Sequence, residues 1–391
     1  MITIRKCRWG DKELRILHAP SVVGGNATTL SRTLNQLGFP SISVAYEDHR
    51  FSYNPDVVLW KRNHGTIAKE IIRISSVFRA ALGYEVIHFN FGTTMAMPSL
   101  PISVSTVSWK LKLAREVHYL LSEFLQILEV RLLSLLKRRV VITYQGDDAR
   151  QGDKSLEIFD ESIALHVESD YYNFRTDQIK RRRIRRLSRL TSAIYFVNPD
   201  LAHFLPSTAK FIPYSHIVIE GTDPTEKHRV SNMVHVVHAP SHRAAKGTDV
   251  IVEVLNKMQT NGYPIEFTLI ENVAHTDIAE LLIDADLLID QLHAGWYGGI
   301  AVEALCRRVP VMTYLRDSDF SVLPSQLTED IPIISVNRDN LEESVAGFIG
   351  LNDTDLVALQ ESGVQFASKW HSPEKVAREY AQRYFPSSEL G

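Results

Sequence analysis

The sequence predicts an α/β protein built from two doubly wound parallel sheets. Three observations predict it. Short apolar strand patterns alternate with helical patterns throughout, the order that builds parallel sheets through helical crossovers. The tetrapeptide His-Ala-Pro-Ser occurs twice, at His18–Ser21 and His238–Ser241, each time closing the first strand of a strand–loop–helix unit. Between the two units lies Gly221 to Asn232, polar and turn-rich, with the composition of a linker. The expected organisation is a first domain over 1–220, a second over 233–371, and a closing helix over 372–391.

In the first half, Leu14 to His18 reads as a strand and Ala19 to Asn26 as a loop carrying Gly24 and Gly25. A helix over Thr28 to Leu37 stops at Gly38. The Gly-Gly pair reads either as a backbone approach to a ligand or as a tight turn. Strands follow at Ile42 to Tyr46, Val57 to Trp60 and Glu85 to Phe89. On the last of these, alternation puts His88 and Asn90 on one face. His88 is an acid–base candidate or a core histidine; Asn90 can bind a hydroxyl but cannot move a proton near neutral pH.

Trp109 to Arg139 is a long amphipathic helix, read as a cover on the first sheet, with a membrane-surface reading beside it. The strand Val140 to Tyr144 leads into Gln145-Gly146-Asp147-Asp148. Asp147 and Asp148 at a strand's carboxyl end suit acceptor hydroxyls or base catalysis, or else cap the next helix. Lys180 to Arg189 holds seven basic residues in ten, while Ile184, Leu187 and Leu190 mark a packed side. Such a helix suits an anionic lipid surface or a phosphate-bearing acceptor. Ile194 to Val197 and Lys210 to Tyr214 complete the half.

The second half opens on the strand Val234 to His238, a basic loop Ser241 to Gly247 with Arg243 and Lys246, and a helix from Thr248. Cations in front of a helix start make an anion site, with phosphate the natural occupant, or simply a solvated loop. Ile265 to Ile270 is a strand, Asp277 to Ile283 a short helix, and Leu287 to Ile289 a strand ending in Asp290. A loop with Gly295, Gly298 and Gly299 then enters a helix whose Glu303 can accept hydrogen bonds from sugar hydroxyls. Strands at Val309 to Leu315 and Ile333 to Val336, and a helix at Asn340 to Ile349, follow. Ser372 caps a final helix with Pro373 at its first position, running to about Tyr384.

The order SHRxxKG, a strand ending in Asp290, then GWYGGIAVEAL and RRVPVMTYL resembles the donor-binding half of GT-B glycosyltransferases, the glycosyltransferase 4-like group in particular. The resemblance implies two Rossmann-like domains facing across a cleft, with the last helix crossing back. It implies that Arg243 and Lys246 bind a donor diphosphate, that Gly298 and Gly299 cover it, and that Glu303 holds the ribose. Gly24 and Gly25 would lie over the phosphates from the other side, with Asn26 and Asn90 toward the acceptor. Three positions depart from the group's pattern: Gly295 stands where many members carry a first Glu, Asn90 where a second His is usual, and Gln145 where the motif His-Gly-x-Asp begins. Asp290, Tyr297 or backbone amides would then make the missing sugar contact.

Composition sets further bounds. Net charge is 43 − 46 = −3, which gives no field for nucleic acid. Cys7 and Cys306 provide neither a disulfide framework nor metal-ligand spacing. The first residues lack an apolar signal-peptide core, and no run approaches the roughly 20 apolar residues of a membrane span. The expectation is a cytoplasmic glycosyltransferase, with a peripheral place on the inner membrane face as the alternative. It would be retaining, metal-independent and without a cofactor, and would move a sugar from a nucleotide-diphosphate sugar to a glycan, lipid-linked or small-molecule hydroxyl. His88, Asp147 and Asp290 are the catalytic candidates; Asn26, Asn90 and Asp148 are the acceptor candidates. The alternatives are a nucleotide-sugar epimerase of the same build and a non-catalytic binder.

Overall fold

The computed structural model describes residues 15–47, 53–96, 109–216, 233–271, 273 and 281–385. The linker Gly221 to Asn232 and most of the expected helix Asp277 to Ile283 lie outside the described residues.

Two sheets organise the chain. The first contains β1 (Ile16–Ala19), β2 (Ser41–Ala45), β3 (Val57–Val58), β4 (Val86–Asn90), β5 (Arg139–Tyr144), β6 (Ala193–Phe196) and β7 (Lys210–Phe211). Their order is β3-β2-β1-β4-β5-β6-β7, with every neighbouring pair parallel. The second contains β8 (Val234–His238), β9 (Ile265–Leu269), β10 (Leu287–Ile289), β11 (Val311–Thr313) and β12 (Ile334–Ser335), ordered β12-β11-β10-β8-β9 and again all parallel. Each order reverses beside the half's first strand, between β1 and β4 and between β8 and β10. In doubly wound sheets, ligands bind outside the carboxyl ends of the strands at that reversal.

The strands are apolar because both faces are covered by helices. In the first half these are α1 (Asn26–Gln36), α2 (Thr66–Gly83), α3 (Trp109–Leu135), α4 (Gly152–Ile158) and α5 (Phe174–Ser188). The second half carries α6 (Arg243–Lys246), α7 (Thr248–Thr260), α8 (Gly299–Cys306), α9 (Ser325–Asp330), α10 (Leu341–Ile349), α11 (Asp353–Trp370) and α12 (Pro373–Tyr384). The loop expected at Ser241 to Gly247 contains the single turn of α6. Two long helices, α2 and α11, have no counterpart in the sequence reading. On α2 the helical period is blurred by apolar residues on both sides, Val77 and Ala81 buried, Ile71 and Phe78 exposed. On α11 the buried side itself includes Gln360 and Gly363.

The last helix begins as its sequence predicts, with Ser372 Oγ accepting from the Lys375 amide and Pro373 in the first turn. It does not cover the second sheet. Val376, Ala377, Tyr380, Ala381 and Tyr384 pack with Ile16, Leu30, Leu34, Val86 and Val141 of the first half.

The basic run on α5 is mostly structural. Lys180 is buried and donates to the Arg150 carbonyl, Arg181 pairs with Asp153 at 2.7 Å, Arg183 is buried, and Arg186 pairs with Glu123 at 2.7 Å. Arg182, Arg185 and Arg189 remain on the surface, so the run offers far less free charge than its composition suggests.

Candidate functional site

A cavity of about 400 Å³ opens between the two halves. The first half lines it with Gly24, Tyr53, Phe91, Gln145, Gly146, Asp147, Arg150, Tyr214 and His216. The second half contributes Ala239, Pro240, Ser241, Lys246, Ile270, Gly299, Ile300 and Glu303. These residues belong mostly to loops after β1, β4, β5 and β8, and to the start of α8, as the strand orders require.

Gly24 and Gly25 have φ of +69° and +71°, a left-handed pair that turns the chain into α1. At Gly299 a Cβ would lie 2.8 Å from the His216 ring, so only glycine lets the first half come this close. Lys246 reaches the cavity from the end of α6. Its Nζ is 2.7 Å from Asp290 Oδ1, and Asp290 also accepts from the Gly298 amide. One carboxylate therefore fixes both the cation and the loop that opens α8. Glu303 lies one turn into α8, its Oε1 3.2 Å from His216 Nε2.

Across the cleft, Asp147 accepts from Tyr172 Oη at 2.5 Å and from Tyr171 Oη, with Arg150 Nη1 at 3.6 Å. Burial opposes its ionisation, but Arg150, the two phenols and Lys180 outweigh that and hold the carboxyl below its usual range. Arg150 is held charged against burial by Asp200, to which it donates twice. Gln145 Oε1 accepts from Asn26 at 3.1 Å, whereas its buried Nε2 has no partner among the described residues.

Of the expected site residues, Gly24, Asp147, Lys246, Gly299 and Glu303 line this cavity, with Gly298 beside Lys246. Several others do not. Arg243 lies on the surface, bound to Asp249 and Glu271 at 2.6 and 3.0 Å. His88 is fully buried, between Thr143 Oγ1 at 2.7 Å and Tyr384 Oη at 2.6 Å, and burial holds its pKa well below the usual value. It is a core residue beneath the last helix. Tyr297 is also core, its hydroxyl on His371 Nε2 at 3.0 Å. Asp290 sits buried behind Lys246, bonded to its Nζ, rather than lining the cavity.

The three acceptor candidates do not line the cavity either. Asn26 donates to Gln145 and accepts from the Ser215 amide at 3.0 Å, which pins the glycine loop. Asn90 is buried and donates to the His88 carbonyl at 3.3 Å. Asp148 turns back on its own loop, accepting from the Gln145 and Gly146 amides, and burial pushes its pKa up to about 6.

Gly295, where the related pattern has a glutamate, has φ of +77°, and a Cβ there would meet the Arg316 guanidinium at 2.6 Å. Arg316 is anchored by Asp319 and the Glu161 carbonyl, so the space a side chain would need is already taken. The sequence reading also misses His216, Tyr53 and Arg150 as lining residues. His216 belongs to no motif. Arg150 has a local signal, since it stands three residues after Asp147 in the same turn.

Among the described residues, Glu161, His166 and His293 are the group whose ligand atoms could hold a metal ion, all within 4.8 Å of one another. Both imidazoles contact the same Glu161 oxygen, at 2.7 and 2.9 Å, and their rings stack at 3.5 Å.

The sequence matches no protein-family model and none of the curated proteins. Solved structures are similar over nearly their whole length. Sucrose-phosphate synthase from Thermosynechococcus elongatus is 12% identical with a TM-score of 0.59, covering 95% of this chain and 98% of its own. A glycosyltransferase from Rickettsia africae ESF-5 is 12% identical at 0.57, with 97% and 99% covered. HepE from Anabaena, solved in complex with UDP-glucose, is 13% identical at 0.55, with 94% and 98% covered. The fold is thus the GT-B fold: two Rossmann-like sheets across a cleft, with a final helix that crosses back.

Proposed function

We propose that the protein is a glycosyltransferase that moves a sugar from a nucleotide-diphosphate sugar to an acceptor hydroxyl. The observation that carries this reading is that Lys246, Gly299 and Glu303 line one cavity between the two halves. The diphosphate would lie on Lys246 and the free amides at the start of α8, where cation and helix dipole both favour negative charge. Glu303 would accept the ribose hydroxyls. When the sugar–phosphate bond breaks, charge grows on the leaving phosphate, and Lys246, already oriented by Asp290, would stabilise it without reorganisation.

Asp147 is the one expected catalytic carboxylate that lines the cavity. Ionised and held by two phenols, it is suited to orienting an acceptor hydroxyl and to facing the positive charge of an oxocarbenium-like sugar, and poorly suited to keeping a proton. The unpartnered Gln145 amide is a ready donor to a sugar hydroxyl. A retaining outcome, independence of metal, and an acceptor in glycan or glycolipid synthesis belong to this proposal.

One observation favours a second reading as a non-catalytic binder: His88 and Asp290 both lie away from the cavity. A single experiment separates the two. Binding of UDP, GDP, ADP and their sugar conjugates is followed by thermal shift, and release of free nucleoside diphosphate is followed with the conjugate that binds. Binding with release supports the enzyme; binding without release under any acceptor supports the binder. No shift with any nucleotide sinks the donor site itself.

A further inference from the structure

Helices α2 and α3 pack side by side and leave an apolar surface open to solvent. On α2 the exposed side chains are Ile67, Ile71, Ile74, Phe78 and Leu82, spaced i, i+4, i+7, i+11 and i+15 along one continuous stripe. Ile67 is 78% exposed and Leu82 66%. The outer side of α3 adds Trp109, Leu113, Val117, Leu120, Leu121 and Phe124, while Leu125 and Leu133 face the core. Single exposed apolar residues are ordinary on a protein surface; two adjoining stripes are not.

The charges around this face are one-sided. Glu70 pairs with Arg73, Glu116 with Arg175 and Glu123 with Arg186, and buried Glu129 accepts from the Met95 and Ala96 amides. Arg79 and Arg131 are exposed on the same two helices, at the edge of and within the apolar stripes. The outward face is therefore apolar, with cations beside it and its acids already occupied. That combination complements an anionic bilayer, where apolar side chains enter the acyl boundary and guanidinium groups meet phosphates. A second copy would bring the same cations against these, which disfavours self-association. Both helices start at the carboxyl ends of the strands, so Thr66 and Trp109 lie toward the cleft.

We propose that the α2–α3 face of the first half rests on an anionic lipid surface, which places the cleft at the membrane. This goes beyond the donor-site reading and does not depend on it. Among the described residues no helix is long and apolar enough to cross a membrane, and the contact proposed is one lying in the interface.

The test is flotation of the intact protein with vesicles of phosphatidylcholine alone and of phosphatidylcholine with one-third phosphatidylglycerol. The protein is expected to float with the anionic vesicles. The double variant Ile71→Glu/Phe124→Glu is expected to lower partition about tenfold or more, since each large apolar side chain is worth at least that when buried. Replacing Arg79 and Arg131 by Gln is expected to cost about fivefold per charge and to weaken the lipid preference. All four positions are exposed, and unchanged melting temperatures would confirm folding. No flotation of the parent protein, or flotation indifferent to Ile71→Glu/Phe124→Glu, overturns the proposal. A dimer in sedimentation velocity that the same variant dissolves, without vesicle binding, overturns it in favour of a second copy.

Discussion

Glu303 of the second half and His216 of the first meet at 3.2 Å, each side chain only 5% exposed. The contact joins the two halves at the cavity, and Gly299, one turn before Glu303, is the residue that admits the His216 ring. If Glu303 holds the ribose, Glu303→Ala is expected to weaken nucleotide-sugar binding by about 10- to 100-fold, the worth of one or two hydrogen bonds to a charged group. Isothermal titration measures this, and an unchanged affinity removes Glu303 from the donor site.

The two cations of the α6 turn should behave differently. Lys246→Ala is expected to lower nucleoside diphosphate affinity by about tenfold or more, since its charge faces the cavity. Arg243→Ala is expected to change it by less than about threefold, because Arg243 is held at the surface by Asp249 and Glu271. Equal losses would show that Arg243 swings inward when ligand binds.

His88 provides the test of a core reading against a catalytic one. It links Thr143 of β5 to Tyr384 of the last helix. His88→Ala is expected to cost about 2–4 kcal/mol of stability, from lost packing and two stranded hydrogen-bond partners. Donor affinity and turnover at a temperature where the variant is folded should stay near those of the parent. Loss of turnover in a folded variant would return His88 to the catalytic set.

Glu129 should be visible in the pH dependence of stability. Burial raises its pKa from 4.5 to about 7, against the Thr94, Ala96 and Met95 hydrogen bonds. The folded chain thus keeps a proton that the unfolded chain releases near 4.5. The contribution of this group is full below pH 4.5 and is lost as pH rises toward 7, by a few kcal/mol at about 1.4 kcal/mol per pKa unit. Relative to Glu129→Gln, the parent protein should lose stability between pH 5 and 7 in denaturant titrations. Parallel curves would show that Glu129 ionises normally.

Chelation should have no effect. Treatment with EDTA is expected to leave donor binding and turnover unchanged, and His166→Ala likewise, because the Glu161 carboxylate already lies 2.7 Å from His166 and 2.9 Å from His293. Activity lost on chelation and restored by zinc, but not in His166→Ala, would place an ion there.

The residues legible in the sequence are those whose place is set by their own segment. Lys246, Gly299 and Glu303 stand at fixed steps from a strand end and a helix start, so local pattern suffices to bring them to a cleft. Asp147 follows from the end of β5 in the same way. The misjudged residues sit in the right neighbourhood, but a distant partner decides where each side chain points. His371 claims Tyr297, Tyr384 claims His88, and Ser215 shares Asn26 with Gln145. His216 reaches the cavity only because the chain returns past β7, which no spacing rule encodes. The repeated His-Ala-Pro-Ser makes the same point. Both copies end a first strand, yet His238 bonds Ile289 and Thr248, whereas buried His18 has no hydrogen-bond partner among the described residues.

The return of α12 to the first half sets the order in which this protein can be finished. Leu30, Leu34 and Val141 of the first half share a core with Tyr380 and Tyr384, so on the ribosome that core stays unsealed until α12 has emerged. The second half, by contrast, can close before them. A gene cut between the halves would leave the first with a bare apolar flank and the second with an orphaned helix, and the two fragments would be drawn back together through that one missing piece.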